Sequence, residues 1–205
     1  MIQWVVESLD MPWAQHIFVV RAEEMERYHL REVCAQLTPQ VRVVPLTSPT
    51  RGAAETVLLG LQEAPLQEPL LIANCDQWLA WDSRRFLRAT ASYDGLIPVF
   101  ASAHPKWSYV RLDDRSRVVE VAEKRPISPW ATCGLYYWKM ARAFVDAAQV
   151  YMSDEAHRVN GEWYVAPIYN ELIAQGGVVL PYTEVQMWGL GTPEDLEEFK
   201  LKVCR

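Results

Sequence analysis

The stretch Leu70-Leu71-Ile72-Ala73-Asn74-Cys75-Asp76-Gln77 starts as an apolar run and ends in a polar cluster with one carboxylate. Four apolar residues, entered from Glu68-Pro69 and left through Asn74, predict a strand buried on both faces of a parallel sheet; a half-exposed strand would alternate polar and apolar positions. Open α/β sheets place their chemistry beyond the carboxyl ends of such strands, where Asp76 falls. A carboxylate there has two readings. It is an oxygen ligand for Mg²⁺, which takes one or two protein carboxylates and completes its shell with water and substrate phosphates, or it is a side chain that closes a turn.

The segments before this strand alternate in kind. His16-Ile17-Phe18-Val19-Val20 and Val41-Arg42-Val43-Val44-Pro45-Leu46 predict strands, and residues 22–36, charged on one side, predict a helix between them. That order makes a βαβ unit, so the expected fold class is α/β, a central mixed and mainly parallel sheet flanked by helices. Residues 1–9 place Ile2, Val5, Val6 and Leu9 at helical spacing without a capping residue ahead of them. The loop Thr47-Ser48-Pro49-Thr50-Arg51-Gly52 runs into a helix beginning at Ala53. Amides at that helix start, with Gly52 permitting close approach, suit a nucleotide's phosphates, ribose or base; an ordinary loop-to-helix junction uses the same residues. Asp82, ahead of Ser83-Arg84-Arg85, reads as a helix cap rather than a metal ligand.

From residue 93 onward the pattern changes. Strands are predicted over 93–100, 108–112, 118–122 and 132–138, with Asp113-Asp114-Arg115-Ser116 as a hairpin turn. Helices follow over 140–152 and 165–175, then a strand over 178–182. Thr192-Pro193-Glu194-Asp195 opens the last helix as a capping box with proline at its first position, which explains the motif without a ligand. Tyr136, Tyr137 and Trp138 alternate along one strand, so at least one faces the core. Lys106 beside Trp107 either reaches a phosphate or lays its stem over the ring. Glu123 and Lys124 are either a solvated pair at a strand end or binding groups.

Composition narrows the classes. A chain of 205 residues, half of them hydrophobic and 22% charged, suits one globular domain over 1–205. A net charge of -6 without a basic run argues against nucleic-acid binding. Cys34, Cys75, Cys133 and Cys204 are far apart and match no zinc spacing, which points to reduced thiols and a cytoplasmic protein. No stretch has membrane-spanning length, and residues 1–10 lack the pattern of a signal peptide.

Taken in order, Thr50-Arg51-Gly52-Ala53-Ala54-Glu55-Thr56-Val57, Asn74-Cys75-Asp76-Gln77, Val121-Ala122-Glu123-Lys124-Arg125-Pro126, Gly134-Leu135-Tyr136-Tyr137 and Gly191-Thr192-Pro193-Glu194-Asp195-Leu196 resemble the sugar-phosphate nucleotidyltransferases. His104-Pro105-Lys106-Trp107-Ser108-Tyr109-Val110 and Gly161-Glu162-Trp163-Tyr164-Val165 look like the branch tied to capsule and surface-polysaccharide precursors. The likeness spans the whole chain. It implies a Rossmann-like, GT-A-like fold with a nucleotide-binding half over 1–92 and an acceptor-binding half over 93–205. The implied reaction has a phosphorylated sugar or similar phosphate ester attack the α-phosphorus of a nucleoside triphosphate, with pyrophosphate leaving and Mg²⁺ as cofactor. By the same likeness Asp76 would hold Mg²⁺, and Asp76 and Lys124 would be the catalytic groups. Thr50, Gly52, Ala53 and Asn74 would contact the nucleotide, and Lys106, Glu123, Gly134, Tyr137 and Glu162 the acceptor.

Two departures from the family pattern stand out. Family members carry a strand, a glycine-rich loop with a catalytic arginine and a Lys-Pro pair before the helix equivalent to residues 1–9; none of these is in this sequence, so an amino-terminally shortened domain of low activity is expected, with an open sheet edge that favours self-association. Many members also have a second metal-binding aspartate where this chain has Gly189. Two other classes compete. A glycosyltransferase of similar fold would use a nucleotide-sugar donor and usually an Asp-x-Asp pair, of which Asn74-Cys75-Asp76 supplies one acid. An inactive regulatory subunit would keep only the acceptor pocket.

Overall fold

The computed structural model describes residues 1–203; Cys204, expected to be reduced, lies outside the described residues. Helix α1 (Ile2–Leu9) leads to strand β1 (His16–Arg21), helices α2 (Ala22–Arg27) and α3 (Leu30–Leu37), and strand β2 (Val41–Leu46). β1 and β2 run parallel, with His16 opposite Val41 and Arg21 opposite Leu46, so the βαβ unit forms as its pattern indicates. The single helix expected over residues 22–36 is instead broken at Tyr28-His29, where His29 adopts φ +51. The reason is geometric. Met25 and Cys34 are the buried residues of the two helices, and nine positions at about 100° each would put them on opposite faces of one straight helix. The break turns both inward.

Helix α4 (Ala53–Gly60) precedes strands β3 (Leu70–Ala73) and β4 (Gln77–Trp81), and helix α5 (Ser83–Thr90) precedes β5 (Gly95–Ala101). Asp82 caps α5 by accepting from Arg85 N at 2.8 Å. The hairpin of β6 (Ser108–Leu112) and β7 (Val118–Glu123) is closed by Asp113, whose carboxylate accepts from the amides of Arg115 and Arg117. β8 (Trp130–Thr132) and β9 (Leu135–Trp138) are one extended segment bent at Cys133-Gly134. Helices α6 (Ala141–Met152) and α7 (Tyr169–Ala174), strands β10 (Val179–Tyr182) and β11 (Val185–Gly189), and helix α8 (Pro193–Lys202) complete the chain.

A seven-stranded mixed sheet runs β3-β9-β5-β8-β6-β7, with β10 parallel to β5 on the other side. The neighbour of β3 is therefore antiparallel, Leu70 opposite Trp138 and Ala73 opposite Leu135, where the apolar run pointed to a parallel partner. β9 explains the difference. It inserts antiparallel between β3 and β5, which keep the same direction. Nor is β3 buried on both faces, since only Ile72 of its four residues is fully enclosed. The strand β4, which periodicity did not separate from the preceding polar cluster, pairs antiparallel with β11.

Aromatic packing fixes the large core. Trp138 stacks on Tyr169 at 4.2 Å between centroids and meets Phe144 edge-on at 5.3 Å. Tyr169 donates from its hydroxyl to Tyr137 O at 2.6 Å, locking α7 to β9. The side chain of Asn170 pairs with β7, accepting from Val121 N and donating to Val121 O at 2.8 Å each. Among the described residues, β1–β2 and the seven-stranded sheet share no ladder; α4 bridges them, with Ile17 and Val19 against Gly60 and with Ala54 in the same core as Ile72.

Candidate active site

Asn74, Cys75 and Asp76 make the turn between β3 and β4. Two backbone bonds hold it: Asn74 N donates to Gly134 O at 2.9 Å, and Leu190 N donates to Asp76 O at 2.7 Å. Both anchors depend on glycine. Gly134 has φ +69, and a Cβ there would collide with the Gln77 carboxamide and Asn74 side chain. A Cβ on Gly191 would stand 2.5 Å from Asp76 Oδ2, so the carboxylate uses space that a missing side chain leaves.

A cavity of about 210 Å³ opens there, lined by Asp76, Gln77, Lys106, Trp107, Asp195 and the backbone at Gly189 and Gly191. Lys106 Nζ lies 3.2 and 3.3 Å from the two carboxylate oxygens of Asp195 and 4.6 Å over the Trp107 ring. Gln77 is 8% exposed, and its Oε1 is buried without a hydrogen-bond partner. Asp195 was legible only as part of a capping box. Its amide does donate to Thr192 Oγ1 at 3.1 Å, but its carboxylate turns to Lys106.

Lys124 joins this cavity to a second cluster. Its amide donates to Trp107 O at 3.0 Å, its backbone has φ +52, and its Nζ donates to the Tyr164 hydroxyl at 2.5 Å. That bond, with Glu123 and Glu162 adding at longer range, holds the ammonium above its usual pKa. Ser108 donates to Glu123 Oε2 across the β6–β7 ladder. Burial pushes the Glu123 carboxyl above the usual carboxylate range, partly opposed by Ser108 and Lys124. Of the paired tyrosines, Tyr136 faces this cluster: its hydroxyl lies 3.0 Å from Thr132 Oγ1, and burial followed by the Glu123 charge raises its pKa. Tyr137, expected at the acceptor, is 6% exposed and packs edge-on against Phe86 at 6.1 Å. Strand alternation sends the two rings to opposite faces, which places Tyr137 in the core.

The loop before α4 lies beside a larger cavity of about 350 Å³, lined by residues 44–50, Glu55, Leu59 and Gln62. Thr50 lines it; Gly52 and Ala53 do not. Gly52, at φ +131, backs onto the Trp163 backbone, which accepts from Ala54 N at 3.1 Å and donates to Arg51 O at 3.0 Å. The close approach that Gly52 permits is thus to this chain itself, and the amide of Ala54 is already used. Arg51 pairs with Glu55 at 2.7 Å, and the Trp163 ring lies between the Arg51 and Arg158 guanidiniums at 4.8 and 4.5 Å. Glu162 is exposed beside this ring, its backbone paired with Val159. Residues 50–54, 161–164, 106–107, 123–124, 74–77, 134 and 189–195 therefore form one connected rim. Among the described residues, no group of three or more His, Cys, Asp or Glu side chains is set to hold a metal.

The fold is a mixed α/β one of the nucleotidyltransferase, Rossmann-like type. The chain is similar over 98% of its length to 87% of the nucleoside-diphosphate-sugar pyrophosphorylase from Vibrio cholerae RC9, with 28% identity and a TM-score of 0.86. It is also similar to a protein assigned as a glucose-1-phosphate thymidylyltransferase from Bacillus anthracis, at 16% identity and TM-score 0.77 over 96% of this chain and 79% of that one. A UDP-glucose pyrophosphorylase complexed with UDP-glucose matches at 14% identity and TM-score 0.73, over 96% and 83% of the two chains. No protein-family model matches the sequence, and no curated protein does. These structural neighbours support the sugar-phosphate nucleotidyltransferase family. Among the described residues, no helix is long and apolar enough to cross a membrane.

Proposed function

We propose that this chain transfers a nucleotidyl group from a nucleoside triphosphate to a phosphorylated sugar or similar phosphate ester, in the cytoplasmic supply of capsule or surface-polysaccharide precursors. One observation carries the reading: Asp76 and Lys106 line one cavity at the carboxyl end of β3, on a fold shared with a pyrophosphorylase of 28% identity across nearly the whole chain. The chemistry needs alignment and charge neutralisation more than covalent help. The site suits Mg²⁺ in that Asp76 offers a hard carboxylate to the cavity, and this ion takes one or two protein carboxylates with water and phosphates completing its shell. When bound, the ion would neutralise charge on the phosphoryl oxygens.

The chain's own residues divide the remaining work. Lys106 offers an ammonium to a phosphate, and Trp107 fixes the direction of its stem. Lys124, held by Tyr164, offers a second cation on the acceptor side, with Glu123 beside it to accept from a hydroxyl. Thr50 lines the cavity assigned to the nucleoside. Residues 1–92 then serve the nucleotide and 93–205 the acceptor.

Incubation with each nucleoside triphosphate, a panel of sugar phosphates and Mg²⁺ tests the reading by pyrophosphate release. Pyrophosphate formed with one base supports it. Release of free nucleoside diphosphate from a nucleotide sugar would instead indicate a glycosyltransferase. Calorimetric binding of a sugar phosphate with no nucleotide binding would indicate a regulatory subunit.

A further inference from the structure

On the nucleotidyl-transfer reading of the site, on which this inference rests, Lys124 is an acceptor-side cation. It follows the last residue of β7 in a left-handed conformation, φ +52, which non-glycine residues rarely adopt and which persists only where the surroundings impose it. They act at both ends of the residue. The Lys124 amide donates to Trp107 O at 3.0 Å, and Nζ donates to the Tyr164 hydroxyl at 2.5 Å while lying 4.6 Å over the same ring. A lysine stem otherwise samples many rotamers, and holding it still costs free energy.

Tyr164 is itself firmly mounted. Asn160 and Gly161, at φ +51 and +83, make a two-residue turn with both central residues left-handed, the form that closes tight hairpins. Val159 N donates to Glu162 O at 3.0 Å, and Glu162 N to Val159 O at 3.1 Å. Trp163 then ties this hairpin to the loop before α4, its amide donating to Arg51 O and its carbonyl accepting from Ala54 N. The Trp163 ring is buried in the large core, and the next side chain, Tyr164, turns to Lys124.

The partner's chemistry matters as much as its place. Lys106 is ion-paired with Asp195, whereas the Lys124 ammonium bonds to a neutral phenol. Glu123 and Glu162 act on it through longer-range attraction, and Glu123 is engaged by Ser108. The phenol therefore aims the ammonium without cancelling its charge. An ammonium carries donors only, so the phenol oxygen accepts, and its own O–H remains to donate elsewhere. Among the described residues that hydroxyl makes no second hydrogen bond. Two donors side by side, one of them charged, match the several acceptor oxygens of a phosphate monoester. We propose that Tyr164 is a positioning residue for Lys124, and that ammonium and phenol together receive the acceptor's phosphate.

The test is pyrophosphate release by the full chain with acceptor and triphosphate varied separately, together with phosphorus-31 NMR of inorganic phosphate binding. Tyr164→Phe keeps the ring and loses one oxygen, so the melting temperature should stay within a few degrees of the parent. KM for the sugar phosphate is expected to rise about tenfold or more, the range for a hydrogen bond to a charged group, with the triphosphate KM unchanged. Phosphate affinity should fall by the same factor. Lys124→Met should weaken both at least as much, and adding Tyr164→Phe to it should cost less than about twofold more, because the two residues act as a unit. Unchanged acceptor KM and phosphate affinity in Tyr164→Phe would overturn the proposal. So would a rise in both KM values with a matching loss of melting temperature, which marks a brace of the fold, or fully multiplicative effects of the two substitutions. If no acceptor yields pyrophosphate, yet phosphate binding falls alike in both single variants, the nucleotidyl-transfer reading fails and the Lys124–Tyr164 phosphate site stands. If the parent binds no phosphate, the pair has no such role.

Discussion

Replacing Gly191 by alanine would set a methyl carbon 2.5 Å from Asp76 Oδ2. Ordinary nonbonded contact requires the carboxylate to retreat by roughly 1 Å. The backbone does not resist, since Gly191 is not among the residues of positive φ. Any cost to the fold is confined to an Asp76 side chain forced off its rotamer, about 0.5–1.5 kcal/mol, and restricting the unfolded chain returns about 0.4–1 kcal/mol of it. Function should suffer far more, because a misplacement of about 1 Å at a reacting centre can cost about a hundredfold. The expected result is a melting temperature within a few degrees of the parent, pyrophosphate release down about a hundredfold, and weakened Mn²⁺ binding. A Gly191→Ala protein that melts normally, turns over at full rate and binds Mn²⁺ unchanged would refute the placement of Asp76 in the site.

Gly52→Ala should behave in the opposite way. Its Cβ meets the Trp163 carbonyl and its φ of +131 is strained for alanine, so left-handed strain and two stitching hydrogen bonds together put about 2–5 kcal/mol at risk, measurable by urea unfolding. Asn170→Ala orphans Val121 N and O on β7, with a loss of about 1–3 kcal/mol for each group that water fails to reach; a change below about 0.5 kcal/mol would mean that solvent already serves that strand. Glu123 supplies a pH test. Its folded pKa is raised, so the native state takes up this proton at a higher pH than the unfolded chain does. Parent stability relative to Glu123→Gln should therefore rise as pH falls from 7 towards the ordinary glutamate value of about 4.3, and a flat or opposite trend in urea midpoints would contradict the burial of that carboxyl.

Much of the arrangement is written locally. The βαβ unit, the Asp82 cap, the Asp113 turn and the carboxylate at the end of β3 each follow from residues within a few positions of one another. What escaped sequence reading depends on distant partners. β4 becomes a strand through β11, with Gln77 opposite Gly189 and Trp81 opposite Val185, and nothing near Gln77–Trp81 announces that pairing. The antiparallel neighbour of β3 likewise arrives from residues 135–138. Tyr136 and Tyr137 are identical in chemistry, and only register against β3 and β5 decides which meets Glu123. Asp195 was hidden because a capping box explains it completely until Lys106, far away in sequence, claims its carboxylate.

The missing ladder between β1–β2 and the main sheet bears on how this molecule comes apart. Side-chain packing through α4 transmits less cooperativity than continuous strand pairing, so the first fifty or so residues should open at a lower free energy than the rest. Deuterium uptake would then sort the amides into two tiers, with β1 and β2 exchanging early and β5 and β9 only on global unfolding. Because Thr50 sits on the boundary between the tiers, a molecule lodged beside it would slow the early tier selectively, and its arrival could be read from exchange alone.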